Sequence, residues 1–254
     1  MIKSYAALIL GYRWLVIVIS VAVIAGMGYG ARHLTFSSDY RIFFSKENPQ
    51  LLAFESLQDT YSKNDNVMLL LEPKDGTVFT EQTLRAVSWL TDRAWQTPYS
   101  TRVDSITNFQ HTYAEGDDLI VEDLVYADDE LNAERISAVR AIALNEPLLV
   151  NRLVSSSGHV TGVNITIELK GQELASELPQ TVEHVRQLRE EFEQLYPDID
   201  VRLTGVIMFN HAFPEASQHD MQTLVPLMFL VFVIVLFFWV KGFSGTIATF
   251  FVIV

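Results

Sequence analysis

Two long apolar blocks enclose a polar middle region in this sequence. Residues 14–31 and 223–240 contain no charged side chain. A helix rises about 1.5 Å per residue, so a block of this length crosses most of a hydrocarbon core about 30 Å thick. The pattern predicts a transmembrane helix in each block and a large extramembrane domain over residues 32–222.

A third apolar run, 246–254, begins a few residues after the second block. As a helix it would cover roughly 14 Å, about half of a hydrocarbon core. We expect this run to be the start of a third transmembrane helix, and residues 241–245 to be a cytoplasmic loop. This chain would then be the opening portion of a longer protein, and the C-terminal half of that protein would follow it.

The middle region begins with a pattern typical of a β-α-β unit. Residues 66–72 read as a buried strand, and Thr80 is suited to cap a helix that stops before Pro98. Residues 101–107 predict the next strand. A shorter amphipathic helix is predicted upstream, at 51–61. The apolar positions that share one face of the capped helix are Leu84, Val87, Leu90 and Ala94.

A second unit follows, with the order β-β-α-β. Strands are predicted near 149–154, over 160–169 and over 199–204, with a hairpin turn at 155–158. The helix that ends at Pro197 has its apolar face at Leu178, Val182, Val185, Leu188, Phe192 and Leu195. Together the two units contain the elements of a split βαβ (ferredoxin-like) sandwich, so the fold class is an α+β membrane protein.

An insertion over residues 108–147 separates the two units. We interpret 108–129 as a loop and 129–144 as a helix. The loop is rich in acidic residues, which could bind Ca²⁺, but the alternate ligand positions of an EF-hand are missing and solvation is the simpler reading. The acidic cluster consists of Asp117, Asp118, Glu122, Asp123, Asp128, Asp129 and Glu130.

Basic residues beside the apolar blocks predict the orientation. Lys3 and Arg13 precede the first block and Lys241 follows the second, which puts residues 1–13 in the cytoplasm and the middle domain outside. Arg32 opposes this with one charge. A cleaved signal peptide is the alternative for the first block, although a second block favours an uncleaved helix.

The charge distribution argues against nucleic acid as a partner. The net charge is −13, and all 31 acidic residues lie between Asp39 and Asp220. An acidic domain of this kind repels polyanions and anionic headgroups, and its ordinary meaning is solubility. Cysteine is absent, so no disulfide framework is available.

Catalytic chemistry has no support in the sequence. No phosphate-binding loop, nucleophile elbow or zinc helix motif occurs, and we expect neither an enzyme nor a cofactor nor a metal site. His211 and His219 are eight residues apart, which places them two helical turns apart. Neither apolar block contains an Asp, Glu, His, Lys or Arg residue. Pro226 is either a hinge in the second span or a proline tolerated in its first turn.

Short motifs in a fixed order give the chain a resemblance to a known family. They are Phe36-Ser-Ser-Asp39, Phe43-Phe44-Ser45, Asn48-Pro49, Phe54-Glu55, Asn64-Asp-Asn-Val67, Val103-Asp-Ser-Ile106, Thr107-Asn-Phe109, Glu115-Gly116, Gly205, Asp220 and Pro226. With the layout of spans, they resemble the first half of an RND (resistance-nodulation-division) superfamily exporter of the MmpL and hydrophobe-amphiphile efflux branch. The resemblance implies proton-driven export of lipids or other hydrophobic or amphiphilic compounds across the bacterial inner membrane, with a periplasmic domain and coupling residues in later spans.

The resemblance also suggests where substrate enters and what the partners are. Aromatic residues near the predicted membrane surface are candidates for the entrance, and packing of the domain against its helices is the alternative. These residues are Phe36, Tyr40, Phe43, Phe44, Phe209 and Phe213. The implied partners are membrane lipids, the exported compound, the C-terminal half and, as an option, further copies of the chain.

Two other functions remain open. A sensor would place its ligand-binding domain between two spans, but a charged signalling helix should then follow the second block, where residues 246–254 are apolar. An auxiliary subunit of the protein-export machinery shares the same layout and would move polypeptide.

Overall fold

The computed structural model describes residues 11–31, 44–61, 65–169, 174–240 and 245. Backbone contacts divide the chain into two compact units, and each is described by itself.

The first unit covers residues 1–37 and contains helix α1, Arg13–Ala31. The first apolar block is therefore helical, as its composition predicts. Side chains described along it are largely exposed, among them Trp14 and Val18.

The second unit covers residues 38–254 and contains the mixed α/β domain. In chain order its elements are α2 (Pro49–Thr60), β1 (Asn66–Pro73), α3 (Glu81–Ala94), β2 (Ser100–Asp104), β3 (Gln110–Glu115), β4 (Asp118–Asp123), α4 (Ala133–Asn145), β5 (Thr161–Ile167), α5 (Leu174–Leu195), β6 (Ile199–Thr204) and α6 (Val206–Val240).

Four strands form the central sheet in the order β2-β5-β1-β6, and each neighbouring pair is antiparallel. The strands of one β-α-β unit, β1 and β2, are separated by β5. The strands of the other, β5 and β6, are separated by β1. This interleaving is the split βαβ arrangement, so the predicted ferredoxin-like topology is confirmed.

Helices α3 and α5 cover one face of this sheet. The alternation in β1 turns Val67, Leu69 and Leu71 inward, and all three are fully buried. Side chains from β5, α3 and α5 complete the core, namely Val163, Ile165, Ile167, Leu84, Val87, Leu90, Val182, Val185 and Phe192. Each such side chain stabilises the fold by roughly 1.5–3 kcal/mol through burial. Leu195, predicted to share the buried face of α5, is instead 57% exposed because it is the last residue of that helix.

Local signals at the helix ends follow the sequence closely. Thr80 caps α3, since its hydroxyl accepts a hydrogen bond from the backbone N–H of Thr83 at 3.2 Å. Asn48 caps α2 in the same way and accepts from Gln50 and Leu51. The apolar side chains predicted for α2 remain largely exposed, and they are Leu52, Phe54, Leu57 and Tyr61.

The insertion is more ordered than its sequence suggests, and the loop predicted over 108–129 is wrong. Strands β3 and β4 pair antiparallel as a hairpin, with His111 opposite Glu122 and Glu115 opposite Asp118. Gly116 makes the turn with φ +64°, a conformation that favours glycine. The predicted helix is present as α4, which begins four residues later than expected, at Ala133.

A second correction concerns residues 149–154, where the sequence predicts a strand. The chain turns there instead, because Leu149 O accepts hydrogen bonds from the N–H groups of Leu153 and Val154. Only isolated bridges, Val150 with Val154 and Val154 with Thr161, remain of the predicted pairing.

Helix α6 changes the predicted boundary between the domain and the second span. It is continuous over Val206–Val240, so no break occurs at residues 222–223. Its 35 residues extend for about 52 Å, well beyond a hydrocarbon core of about 30 Å. Pro226 therefore lies in the interior of the helix, and the alternative that it occupies a first turn is wrong.

Candidate functional site

Helix α6 joins the α/β domain through one narrow face of its first three turns. Ile207 is 1% exposed, and the residues that follow it on the same side are partly buried. They are Asn210, His211, Pro214 and Ser217. The spacing of three to four residues is that of one helix face. The contact is mixed, since apolar Ile207 and Met208 in the first turn are followed by polar side chains, in contrast to the apolar contacts of α3 and α5 with the sheet.

A bidentate ion pair connects α6 with α5. Arg186 donates through Nη1 to Glu215 Oε1 at 3.0 Å and through Nη2 to Oε2 at 2.7 Å. The hydrogen bond to Glu215 raises the pKa of Arg186 above its ordinary value. His211 Nδ1 lies 3.5 Å from the same Oε2 atom, one turn away on α6. The carboxylate of Glu215 is thus held by groups on both helices.

The sequence does not predict this ion pair, because Arg186 and Glu215 are 29 positions apart. The one local signal was the spacing of His211 and Glu215, which at i and i+4 share a helix face. Nothing in the sequence indicates that Arg186 reaches the same point.

Phe209 and Phe213 lie on the side of α6 that faces away from this contact. They are 62% and 54% exposed. Phe44 is also exposed, at 49%. The other three candidates for a substrate entrance, Phe36, Tyr40 and Phe43, lie outside the described residues. The entrance stays a prediction, carried by the two phenylalanines of α6.

The C-terminal half of α6 is apolar on every side. Its large side chains are exposed around the whole circumference, among them Leu224, Leu227, Leu230, Phe238 and Trp239. Within the described residues, Val206–Trp239 is the one helix long and apolar enough to cross a membrane, and the apolar run Arg13–Val23 in α1 is shorter. A helix apolar all round is typical of contact with lipid.

A small pocket of about 280 Å³ lies between the hairpin and α4. The rings of His111 and Tyr113 stack with their centroids 5.5 Å apart. The pKa of Tyr113 is raised, chiefly by loss of hydration and secondly by the negative charge of the nearby Glu122 carboxylate. Arg135 donates to Asp129 Oδ2 at 2.9 Å and to Leu124 O at 3.0 Å. The cation that lines this pocket is therefore already paired within the chain.

The acidic residues of the insertion do not form a metal site in the described part of the chain. No group of three His, Cys, Asp or Glu side chains there is arranged to hold an ion. Asp117 lies in the hairpin turn, Asp118 and Asp123 end strand β4, and Asp129 binds Arg135. His211 and His219 lie along one helix, as predicted.

Comparison with known protein families matches residues 50–252 to the MMPL family. No curated protein matches the sequence. The matched region contains the whole split βαβ domain and helix α6. The resemblance inferred from the motifs and the layout of spans is therefore confirmed: the chain belongs to the MMPL family, a family of RND-type membrane exporters.

Proposed function

We propose that this chain forms the first part of a proton-driven exporter of lipids or other hydrophobic or amphiphilic compounds. Family membership supports an exporter of the RND type. The observation that carries the finer proposal is helix α6, which is lipid-compatible along one half and exposes two aromatic rings along the other. We propose no enzymatic step and no cofactor, since export requires binding and conformational change.

The proposed topology places the α/β domain in the periplasm of a bacterium. Helix α1 and the 223–240 part of α6 would cross the inner membrane, and residues 246–254 would begin a third crossing. Lys3, Arg13 and Lys241 support this orientation through the positive-inside rule.

The exposed aromatic pair supports the class of substrate. Phe213 stands eleven residues before Leu224, which corresponds to about 16 Å along the helix. If the apolar core begins at Leu224, the rings of Phe213 and Phe209 lie on the outer side of the membrane, about 10 and 15 Å beyond the headgroups of the outer leaflet. An amphiphile that leaves this leaflet would meet them first, and aromatic rings bind apolar chains well.

Energy coupling is expected in spans outside the described chain. The apolar half of α6 contains no ionisable residue, and a proton relay requires one. The exported compound, membrane lipids and the rest of the transporter are the expected partners, and assembly with further copies is compatible with the exposed apolar surface.

An efflux assay with the complete gene product tests the proposal. Cells that lack their own hydrophobe exporters are loaded with the amphiphilic dye Nile red, and its release is followed by fluorescence. We expect faster release with the transporter than without it, and loss of the difference when a protonophore collapses the gradient. Equal release in cells with and without the protein would contradict the proposal for amphiphiles, and release unaffected by the protonophore would contradict proton coupling.

A further inference from the structure

The span helix enters the α/β domain without an interruption. Helix α6 follows β6 directly through Gly205, whose φ is +111° and whose position allows no side chain, since an added Cβ would lie 2.4 Å from Asn66 O. Ile207 then seats the first turn of the helix in the core. Because no flexible linker separates β6 from α6, a movement of the span helix also moves the end of strand β6.

One turn further out, the contact between α6 and the domain changes from apolar to polar. Asn210 Oδ1 is buried and makes no hydrogen bond to the described part of the chain, and His211 Nδ1 has Glu215 Oε2 beside it at the long distance of 3.5 Å. Buried polar atoms are rarely left without a partner, and those that are call for a physical explanation. Helices that interlock through apolar side chains resist sliding, whereas at a polar contact directed bonds between the helices decide how far one can move along the other.

The Arg186–Glu215 pair is the directed bond that the described residues provide between the two helices. Two parallel hydrogen bonds fix the guanidinium and the carboxylate in one plane, so a shift of about 1 Å along the helix lengthens at least one of them. The charged groups around the pair are His211 on α6 and Glu183 on α5. Both side chains of the pair are partly exposed, at 34% and 48%, which keeps its contribution to folding stability small.

We propose that Arg186 and Glu215 are positioning residues that couple movement of the span helix α6 to helix α5. The Gly205 junction connects the span to β6, and the pair adds a second connection, through which α5 follows the span when the transporter changes state. Neither residue contacts substrate in this role. The inference rests on the proposed function, since it assigns to the pair a part in the transport cycle.

Three variants of the complete gene product test the coupling. Glu215→Gln and Arg186→Gln each remove one charge, and the double variant R186E/E215R restores the pair in reverse. Glu193→Gln is the matched control, because Glu193 pairs with Arg189 at 3.7 Å within α5 and leaves α6 untouched. The first readout is Nile red efflux at equal protein level in the membrane.

The second readout is a distance that does not depend on transport. The chain contains no cysteine, so Gln187→Cys on α5 and Gln218→Cys on α6 provide two labelling sites, with any cysteine outside these 254 residues replaced by Ser. Both side chains are exposed. Spin labels at the two sites report the distance between the helices and its spread, in the intact pair and in the Glu215→Gln background.

We expect each single variant to lower efflux about fivefold or more, the range typical of a lost coupling between sites. The reversed pair should recover at least half of the wild-type rate, and Glu193→Gln should not reduce it. The distance distribution should broaden in Glu215→Gln. Wild-type efflux in Glu215→Gln, an equal loss in Glu193→Gln, or no recovery in the reversed pair would overturn the inference. If the intact protein does not release the dye, that result counts against the proposed function, and the distances decide the inference: an unchanged distribution in Glu215→Gln overturns it.

Discussion

Gly205 is the residue at which the sheet passes into the span helix. Its φ is positive, which residues with a side chain rarely adopt, and an added Cβ atom would lie 2.4 Å from Asn66 O. Any residue other than glycine at this position would therefore suffer both a steric clash and backbone strain. A glycine here is a requirement of geometry, which the sequence alone indicates only as a turn residue after a strand.

We expect Gly205→Ala to lower the free energy of unfolding of the domain by about 3 kcal/mol, from strain and overpacking together. Thermal unfolding in detergent, followed by tryptophan fluorescence, measures the loss. Gly76→Ala is the matched control, because Gly76 has a similar positive φ of +78° but open space around its Cβ position. An equally large loss in the control would show that the clash with Asn66 O is not the cause.

In contrast to Gly205, the Arg186–Glu215 pair is expected to contribute little to the stability of the domain. Partly exposed ion pairs contribute at most about 1 kcal/mol to stability. We therefore expect Glu215→Gln to unfold within a few degrees of the wild type, measured in the same scan. A large fall in the unfolding temperature would mean that any loss of efflux in this variant reflects misfolding.

The exposed rings of α6 allow a direct test of the substrate entrance. We expect Phe209→Ala and Phe213→Ala to raise the dye concentration needed for half-maximal efflux roughly tenfold when combined, which corresponds to about 1.4 kcal/mol of lost binding. Leu119→Ala is the control, since Leu119 is a 72% exposed apolar side chain on hairpin strand β4 and does not belong to helix α6. The same rise in the control, or none in the double variant, would contradict an entrance at these two positions.

At the scale of elements, the sequence predicts strands and helices with a buried apolar face well, and exposed paired strands poorly. Strand β1 and helix α3 were recognised because their inward positions, such as Leu69 and Leu84, are fully buried and apolar. Strand β3 was missed, because its side chains are mostly exposed and polar and no alternation marks them. The false strand at 149–154 shows the converse, since the apolar residues Leu149 and Val154 are buried by a turn.

Helix α6 carries its own prediction through Pro226. A proline in a helix interior has no N–H and leaves the carbonyl four residues earlier, at Gln222, without its helical partner, which permits bending at a cost of about 3 kcal/mol. If this position is used as a hinge, Pro226→Ala should stiffen the helix and slow dye efflux. Efflux at equal protein level in the membrane measures the effect.

Pro214, the second proline inside α6, provides the comparison. It lies in the part of the helix that packs on the domain, where bending is already limited by Ile207 and the ion pair. We expect Pro214→Ala to retain efflux more fully than Pro226→Ala. The hinge prediction would be wrong if Pro226→Ala exported at the wild-type rate.

At the scale of the whole molecule, the order of elements carried more information than any single motif. The two β-α-β units could be assigned to a split βαβ sandwich because each strand and helix of the core has its own periodicity, and the strand order confirms it. The contact between α5 and α6 could not be found in this way. It joins Arg186 to Glu215, which strand β6 separates in the sequence, and only the fold determines which charged side chains meet there.

The orientation of the domain is a prediction about the whole molecule that the absence of cysteine makes simple to test. Ser157→Cys lies in an exposed turn of the α/β domain, and Ser244→Cys lies in the predicted cytoplasmic loop. The basic residues Lys3, Arg13 and Lys241 favour a cytoplasmic position for the second site and a periplasmic position for the first. In spheroplasts, a membrane-impermeant maleimide should label Ser157→Cys at once and Ser244→Cys only after the membrane is permeabilised. The reverse pattern would place the domain in the cytoplasm, where Phe209 and Phe213 could not meet lipid that leaves the outer leaflet.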